Sequence, residues 1–175
     1  MRITADVSAI APDLAPGTEA AYREIVRATG LLRRAMDPHF AKYGLSGAQW
    51  GVLRNLYAAE KAGEECLRLA DLVQRLLVRP PSMTHVVERL RVAGLIVRET
   101  CGSDGRAKFV RLTDAGRERV EKVQGCHGKR ITAVMGGLDA AEQHELRRLM
   151  DKLNSHLEQV VPAEPDDEET HADVD

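Results

Sequence analysis

Side chains that can bind a polyanion are concentrated in the middle of this 175-residue chain. From Ser46 to Thr113 there are eleven Lys or Arg residues and seven Asp or Glu residues, a net charge of +4. From Glu158 to the last residue there are eight acidic residues and no Lys or Arg, so the overall charge is only −2. A basic middle and an acidic end predict a negatively charged partner, such as nucleic acid, for the middle.

One predicted helix, Pro81 to Ala93, carries polar side chains suited to DNA. Its apolar residues fall on one face, while Ser82, His85 and Arg89 recur on the opposite face at helical spacing. Hydroxyl and imidazole groups can hydrogen-bond to base edges or phosphates, and an Arg supplies charge. An ordinary solvated helix face has the same pattern. The candidate DNA-binding residues here are Ser82, Thr84, His85 and Arg89, with Arg79 just before them.

A second candidate DNA contact is a β-hairpin of two predicted strands, Ile96–Thr100 and Lys108–Leu112. The loop between them reads CGSDGRA and would place the Arg106 guanidinium at a tip that can enter a minor groove. A charge-assisted pair with Asp104 would orient that guanidinium, although Asp-Gly is also a common turn dipeptide. The candidate residues of this wing are Asp104, Arg106 and Lys108.

Helical periodicity and capping signals predict the elements that position these residues. Ser46 with Gln49, and Asp139 with Glu142, have capping-box spacing, and Thr113 can cap a long fifth helix. Pro38 is expected to bend or interrupt the first helix. The predicted fold is mainly α with a small β-hairpin wing, and helices two to four followed by the hairpin give the order of a winged helix-turn-helix.

These residues together resemble the MarR family of bacterial regulators. The family's wing reads D-x-R followed by V-x-L-T-x-x-G, and the segment from Leu72 to Arg98 is similar to its third and recognition helices. The resemblance covers roughly Tyr22 to Leu157. This chain departs from the family at His85, where many members have Arg, and at Pro80-Pro81, where small polar residues are more usual. The residues in the register of the wing motif are Asp104, Arg106, Val110, Leu112, Thr113 and Gly116.

The resemblance implies a homodimer that binds a pseudo-palindromic operator in double-stranded DNA, usually as a repressor. It implies release by a small, often aromatic or phenolic, effector that binds between the dimerisation and DNA-binding regions, and it implies no cofactor. An apolar stripe on the sixth helix fits a dimer contact. Its residues are Leu146, Leu149, Leu153 and Leu157. The expected organisation is a flexible arm (1–17), a first dimerisation helix (18–45), a winged helix-turn-helix region (46–113), C-terminal dimerisation helices (114–161) and a disordered acidic tail (162–175).

Several alternatives remain open on the sequence. A redox sensor would use Cys101, which lies in the wing beside Arg98 and Arg106, whereas Cys66 and Cys126 read as incidental. A metal sensor would need ligands from Cys126-His127, His144 and His156. A winged helix can also bind protein instead of DNA. No common catalytic motif is present, which argues against an enzyme, and no apolar run approaches the length of a membrane span, so a cytoplasmic location is expected.

Overall fold

The first described elements are two helices joined by a tight turn. The computed structural model describes residues 15–76, 80–100 and 108–161. Helix α1 is Pro16–Ala41 and α2 is Gly47–Lys61. The expectation that Pro38 interrupts α1 was wrong, because Pro38 lies in the last turn and removes only one hydrogen-bond donor near the helix end.

The capping box at the start of α2 is confirmed. The backbone N–H of Gln49 donates to the Ser46 hydroxyl at 3.2 Å, and the Ser46 N–H donates to the Gln49 side-chain oxygen at 2.8 Å. These two bonds satisfy donors that the first turn of a helix otherwise leaves unpaired. The start of α2 is therefore set by local sequence.

Two short helices follow, α3 (Leu69–Leu76) and α4 (Pro80–Val92). Pro80 and Pro81 stand in the first turn of α4, where a missing N–H costs little. Gly94 ends α4 with a φ of 70°, and the Leu95 N–H donates to the Leu90 carbonyl at 3.0 Å. This left-handed cap confirms the role predicted for Gly94.

The sheet contains three strands, one more than the sequence predicted. The two expected strands are confirmed as β2 (Ile96–Thr100) and β3 (Lys108–Leu112), and they pair antiparallel. A two-residue strand, β1 (Leu67–Arg68), pairs with the other edge of β3, which gives the order β1-β3-β2. Two residues are too short to show an alternating pattern, so β1 carries no sequence signal.

The remaining helices are α5 (Asp114–Met135) and α6 (Ala140–Val160). Helix α5 runs without a break through Gly125 and Gly128. The capping box that starts α6 is confirmed, since Asp139 and Glu142 exchange side-chain to backbone hydrogen bonds of 2.8 and 2.9 Å. The chain divides into two compact units at Val134, so α6 belongs to the second unit.

The first unit has one hydrophobic core, built by side chains from α1 to α5 and the sheet. The second unit has no buried residue on α6, and large apolar side chains of that helix are exposed. No helix in the described ranges is long and apolar enough to cross a membrane. The fully buried side chains of the core include Leu53, Leu72, Met83, Val87, Leu90, Ile96, Val110, Leu112 and Val120.

Candidate nucleic-acid interface

Helix α4 has two faces of opposite character. Met83, Val87 and Leu90 are at most 1% exposed and anchor the helix in the core. α4 contacts α2, α3 and β2, so it is held from three sides. The four residues of this helix that the sequence singled out, Ser82, Thr84, His85 and Arg89, are all exposed.

The positive charges of α4 are not equivalent. Glu88 accepts two hydrogen bonds from the Arg91 guanidinium, at 2.9 and 2.7 Å, which compensates the charge of Arg91. These bonds hold the pKa of the Glu88 carboxyl below its ordinary value, and the nearby charge of Arg98 lowers it further. Arg89 makes no ion pair with any residue that the structure describes, so its charge is available to a ligand.

Two arginines of the sheet have partners within the sheet. The Arg111 guanidinium donates to the Glu99 carboxylate at 2.7 Å, between β3 and β2. The guanidinium of Arg68 lies 5.8 Å from the centre of the Phe109 ring, a cation–π distance. These contacts hold both arginines against the sheet. Among the described residues, the exposed face of α4 is therefore the better candidate surface for a polyanion.

The wing residues predicted from sequence are mostly beyond what the structure describes. Asp104, Arg106 and the loop that holds Cys101 lie outside the described residues, and so does Arg79. Lys108 begins β3 opposite Thr100, but its side chain is not among those described. The structure therefore brings together the four α4 residues and places the wing strands, while the role of the wing tip stays a prediction.

Hydrogen bonds join the end of α4 to the start of α5. The Thr113 hydroxyl donates to the Gly94 carbonyl at 2.7 Å and accepts from the Gly116 N–H at 3.0 Å. The second bond confirms Thr113 as the cap of α5. Further along α5, Arg117 donates to both carboxylate oxygens of Glu60 on α2, at 2.7 and 2.9 Å. Helix α5 is therefore joined both to the end of α4 and to α2, which itself contacts α4.

An aromatic cluster at the end of α1 was missed by the sequence analysis. His39 and His127 stack there, with ring centres 5.4 Å apart. The sequence showed His127 only as a possible metal ligand beside Cys126, because its ring partners come from distant parts of the chain. No group of three or more His, Cys, Asp or Glu residues in the described ranges is arranged to hold a metal ion. Cys66 is half-buried and Cys126 exposed, and both are free thiols.

Sequence comparison identifies relatives of the central region and of most of the chain. The family model for the MarR family matches residues 43–107. A Bacillus subtilis (strain 168) protein named as an uncharacterised HTH-type transcriptional regulator, YkoM, is 29% identical over 140 residues, which make up 80% of this chain and 88% of YkoM.

Solved structures of similar proteins share this fold. Sco3205, a MarR family transcriptional regulator from Streptomyces coelicolor solved in complex with DNA, is 25% identical with a TM-score of 0.74 and covers 87% of this chain and 96% of its own. BpsR of Bordetella bronchiseptica, whose DNA binding is regulated by 6-hydroxynicotinic acid, is 27% identical with a TM-score of 0.58, covering 73% and 98%.

Proposed function

We propose that this chain is a transcriptional regulator of the MarR family, whose family model its residues 43–107 match, and that it binds a pseudo-palindromic operator as a homodimer and represses the adjacent genes. It is a DNA-binding regulator and not an enzyme, in keeping with the relatives it matches. In the proposed complex, α4 enters the major groove and the loop between β2 and β3 reaches the neighbouring minor groove. Residues 46–113 make up the DNA-binding region.

The observation that carries this proposal is the polar face of α4. Ser82, Thr84 and His85 are exposed at the N-terminal half of the helix, which is the part that contacts base edges in helix-turn-helix proteins. Arg89 adds one uncompensated positive charge, whereas Glu88 compensates the charge of Arg91. Such a face combines hydrogen-bonding groups for bases with a cation for phosphate.

The proposed dimer rests on apolar side chains that the chain leaves exposed. On α6, Leu146, Leu149 and Leu157 are 39 to 49% exposed, and Leu153 lies in the same stripe. On α1, Tyr22 and Val26 are more than half exposed. A second copy of the chain would cover these faces, and a two-fold dimer places its two recognition helices about 34 Å apart, one turn of DNA.

The proposed effector is a small aromatic or phenolic molecule. BpsR supplies the precedent, since its DNA binding is regulated by an aromatic acid. A ligand that binds the DNA-free arrangement of the dimer more tightly would shift the population away from the operator complex. Binding to chromosomal DNA would place the protein in the cytoplasm.

The test is selection of DNA fragments from the source genome by the purified full-length protein, followed by affinity measurements on the enriched fragment. We expect a fragment with two related half-sites about one helical turn apart and an affinity that falls steeply as salt rises. A matched fragment with one half-site scrambled is the control and should bind much more weakly. A winged helix that binds protein instead would enrich no sequence, and that outcome would overturn the proposal.

A further inference from the structure

Five aromatic rings from α1, α2, α5 and the turn after α1 pack together. His39 and His127 stack at 5.4 Å with an angle of 26° between their planes. His127 also lies edge-on to Trp50 at 5.1 Å and 5.6 Å from Phe40, and His39 lies edge-on to Tyr43 at 5.6 Å. These are distances of direct ring contact. The two imidazoles therefore lie together within one aromatic cluster.

Both imidazoles carry a buried nitrogen that the surrounding residues do not satisfy. His39 Nε2 and His127 Nδ1 have no hydrogen-bond partner among the described residues, and His39 is only 8% exposed. An unsatisfied buried polar atom lowers stability, so two of them on a pair of stacked rings are unexpected in a purely structural core. The ring pair is therefore a candidate for a regulated site.

The charges that act on the pair are positive. Burial is the main cause that lowers the pKa of His39, followed by the charges of Arg130 and Lys42. The pKa of His127 is likewise lowered, mainly by burial and then by the charges of His39 and Arg54. Asp37 lies beside Gly47, which also adjoins the Phe40 ring of the cluster, and Cys126 raises the pKa of Tyr43.

We propose that His39 and His127 form a proton-operated switch, in which protonation of the stacked pair separates α1 from α5 and weakens DNA binding. Two positive charges on stacked rings repel each other, so the pair takes up its first proton as a unit and resists the second. The regulatory ligand at this position is the proton itself.

The switch acts on DNA through α5 and so rests on the proposed function. The side chain of Arg130 donates to the Ala35 carbonyl and joins α5 to α1 near the histidine pair. At its other end, α5 is joined through Thr113 to Gly94, which ends the proposed recognition helix. A displacement of α5 relative to α1 therefore changes the support of α4.

The pH window follows from the direction of the pKa shifts. Both histidines have a pKa below the ordinary value of about 6.5, so the unfolded chain binds protons at a higher pH than the folded chain does. The stabilising contribution of the neutral pair is complete above about pH 6.5 and is lost as the pH falls below it. The switch operates between neutral and mildly acidic pH.

The first arm of the test uses Trp50, because it is the only tryptophan in the chain and touches His127. Protonated imidazole quenches indole fluorescence on contact, so emission of the full-length protein should fall with a midpoint below about pH 6.5. In His39→Phe the midpoint should rise, because the charge of His39 no longer opposes protonation of His127. His127→Phe should abolish the titration, and the exposed control His144→Gln should retain it.

The second arm measures operator affinity at about pH 7.5 and about pH 5.5, on either side of an ordinary histidine pKa. We expect the wild type to lose about tenfold in affinity at the lower pH relative to the His39→Phe/His127→Phe double variant. His85 on α4 is unchanged in both proteins, so its contribution to binding cancels in the comparison. NMR titration of labelled histidines in the wild type covers the case of a variant that does not fold.

The outcomes separate the two proposals. A histidine pair that titrates at or above the ordinary pKa, or a double variant with the same pH response as the wild type, overturns the switch. Absence of sequence-specific DNA binding at both pH values overturns the proposed function. In that case the fluorescence and NMR titrations still test whether the histidine pair binds a proton.

Discussion

The Thr113 hydroxyl donates a hydrogen bond of 2.7 Å to the carbonyl oxygen of Gly94. The Thr113 hydroxyl oxygen also accepts a hydrogen bond from the Gly116 N–H, so one side chain both caps α5 and fastens it to the end of α4. A backbone bond from the Thr113 N–H to the Leu95 carbonyl, at 3.1 Å, runs beside it. Thr113 therefore links the end of α4 to the start of α5.

Replacement of this hydroxyl should destabilise the first unit. Thr113→Val keeps the shape of the side chain but removes both hydrogen bonds, and the expected loss is about 1–2 kcal/mol of unfolding free energy. Urea denaturation followed by circular dichroism measures it. The control is Thr132→Val, whose exposed hydroxyl bonds only to the Gly128 carbonyl in its own helix. Equal stability of the two variants would show that the junction contributes nothing.

Gly116 marks the closest approach of α5 to the segment after α4. A Cβ at this position would lie 2.1 Å from the Leu95 carbonyl oxygen, a backbone atom that cannot move independently. Gly116→Ala should therefore displace α5 and destabilise the protein by about 2 kcal/mol or more, as overpacking does.

A second glycine of α5 provides the matched control for Gly116. A Cβ at Gly125 would meet nothing within 4 Å, so Gly125→Ala should stabilise the helix by up to about 1 kcal/mol. Thermal unfolding of the two variants should give opposite shifts of Tm. If both variants shifted Tm in the same direction, the structure would accommodate a Cβ at Gly116 without losing stability, and the prediction would be wrong.

Local signals explain why most of the fold was predictable from sequence. Capping boxes at Ser46 and Asp139 and the left-handed Gly94 depend on residues within a few positions of each other, and the two strands of the hairpin pair across one loop. The exposed face of α4 was predictable for the same reason, since helical period alone divides its residues between core and solvent.

Features that depend on contacts between distant segments were not predictable. Strand β1 exists only because Leu67 and Arg68 pair with β3, far along the chain. The stacking of His39 on His127 likewise needs α1 and α5 in place before either side chain has a partner. A single sequence shows spacing along an element, whereas these contacts depend on how elements pack.

Arg89 should contribute charge to DNA binding, since no described residue neutralises it. Arg89→Ala should lower the slope of log affinity against log salt by about 0.9, the value for one phosphate contact. The control is the double variant Glu88→Ala/Arg91→Ala, which removes a compensated pair from the same helix without changing its net charge. An equal change of slope in both proteins would assign the salt dependence to α4 in general and not to Arg89.

Arg106 carries the prediction made for the wing from sequence alone. Arg106→Ala should weaken operator binding while the dimer and its stability stay unchanged, because a residue at a hairpin tip contributes little to the core. Gel-shift titration with the selected operator measures the loss, and Arg106→Lys tests whether charge alone is enough. If Arg106→Ala bound the operator as tightly as the wild type, the wing tip would not be part of the DNA interface.

Dimerisation should depend on the apolar stripe of α6. Leu149 is 49% exposed in the single chain, and an Asp at this position would place a charge in the proposed contact between two copies. Leu149→Asp should weaken the dimer by tenfold or more, about 1.4 kcal/mol, as should truncation before Leu146. Sedimentation over a range of concentrations measures the dissociation constant. Arg147→Ala is the control, since the ion pair of Arg147 within the described ranges is with Asp151 on the same helix, at 3.6 Å. A dimer that survives Leu149→Asp and the truncation would place the contact on α1 and α5 alone.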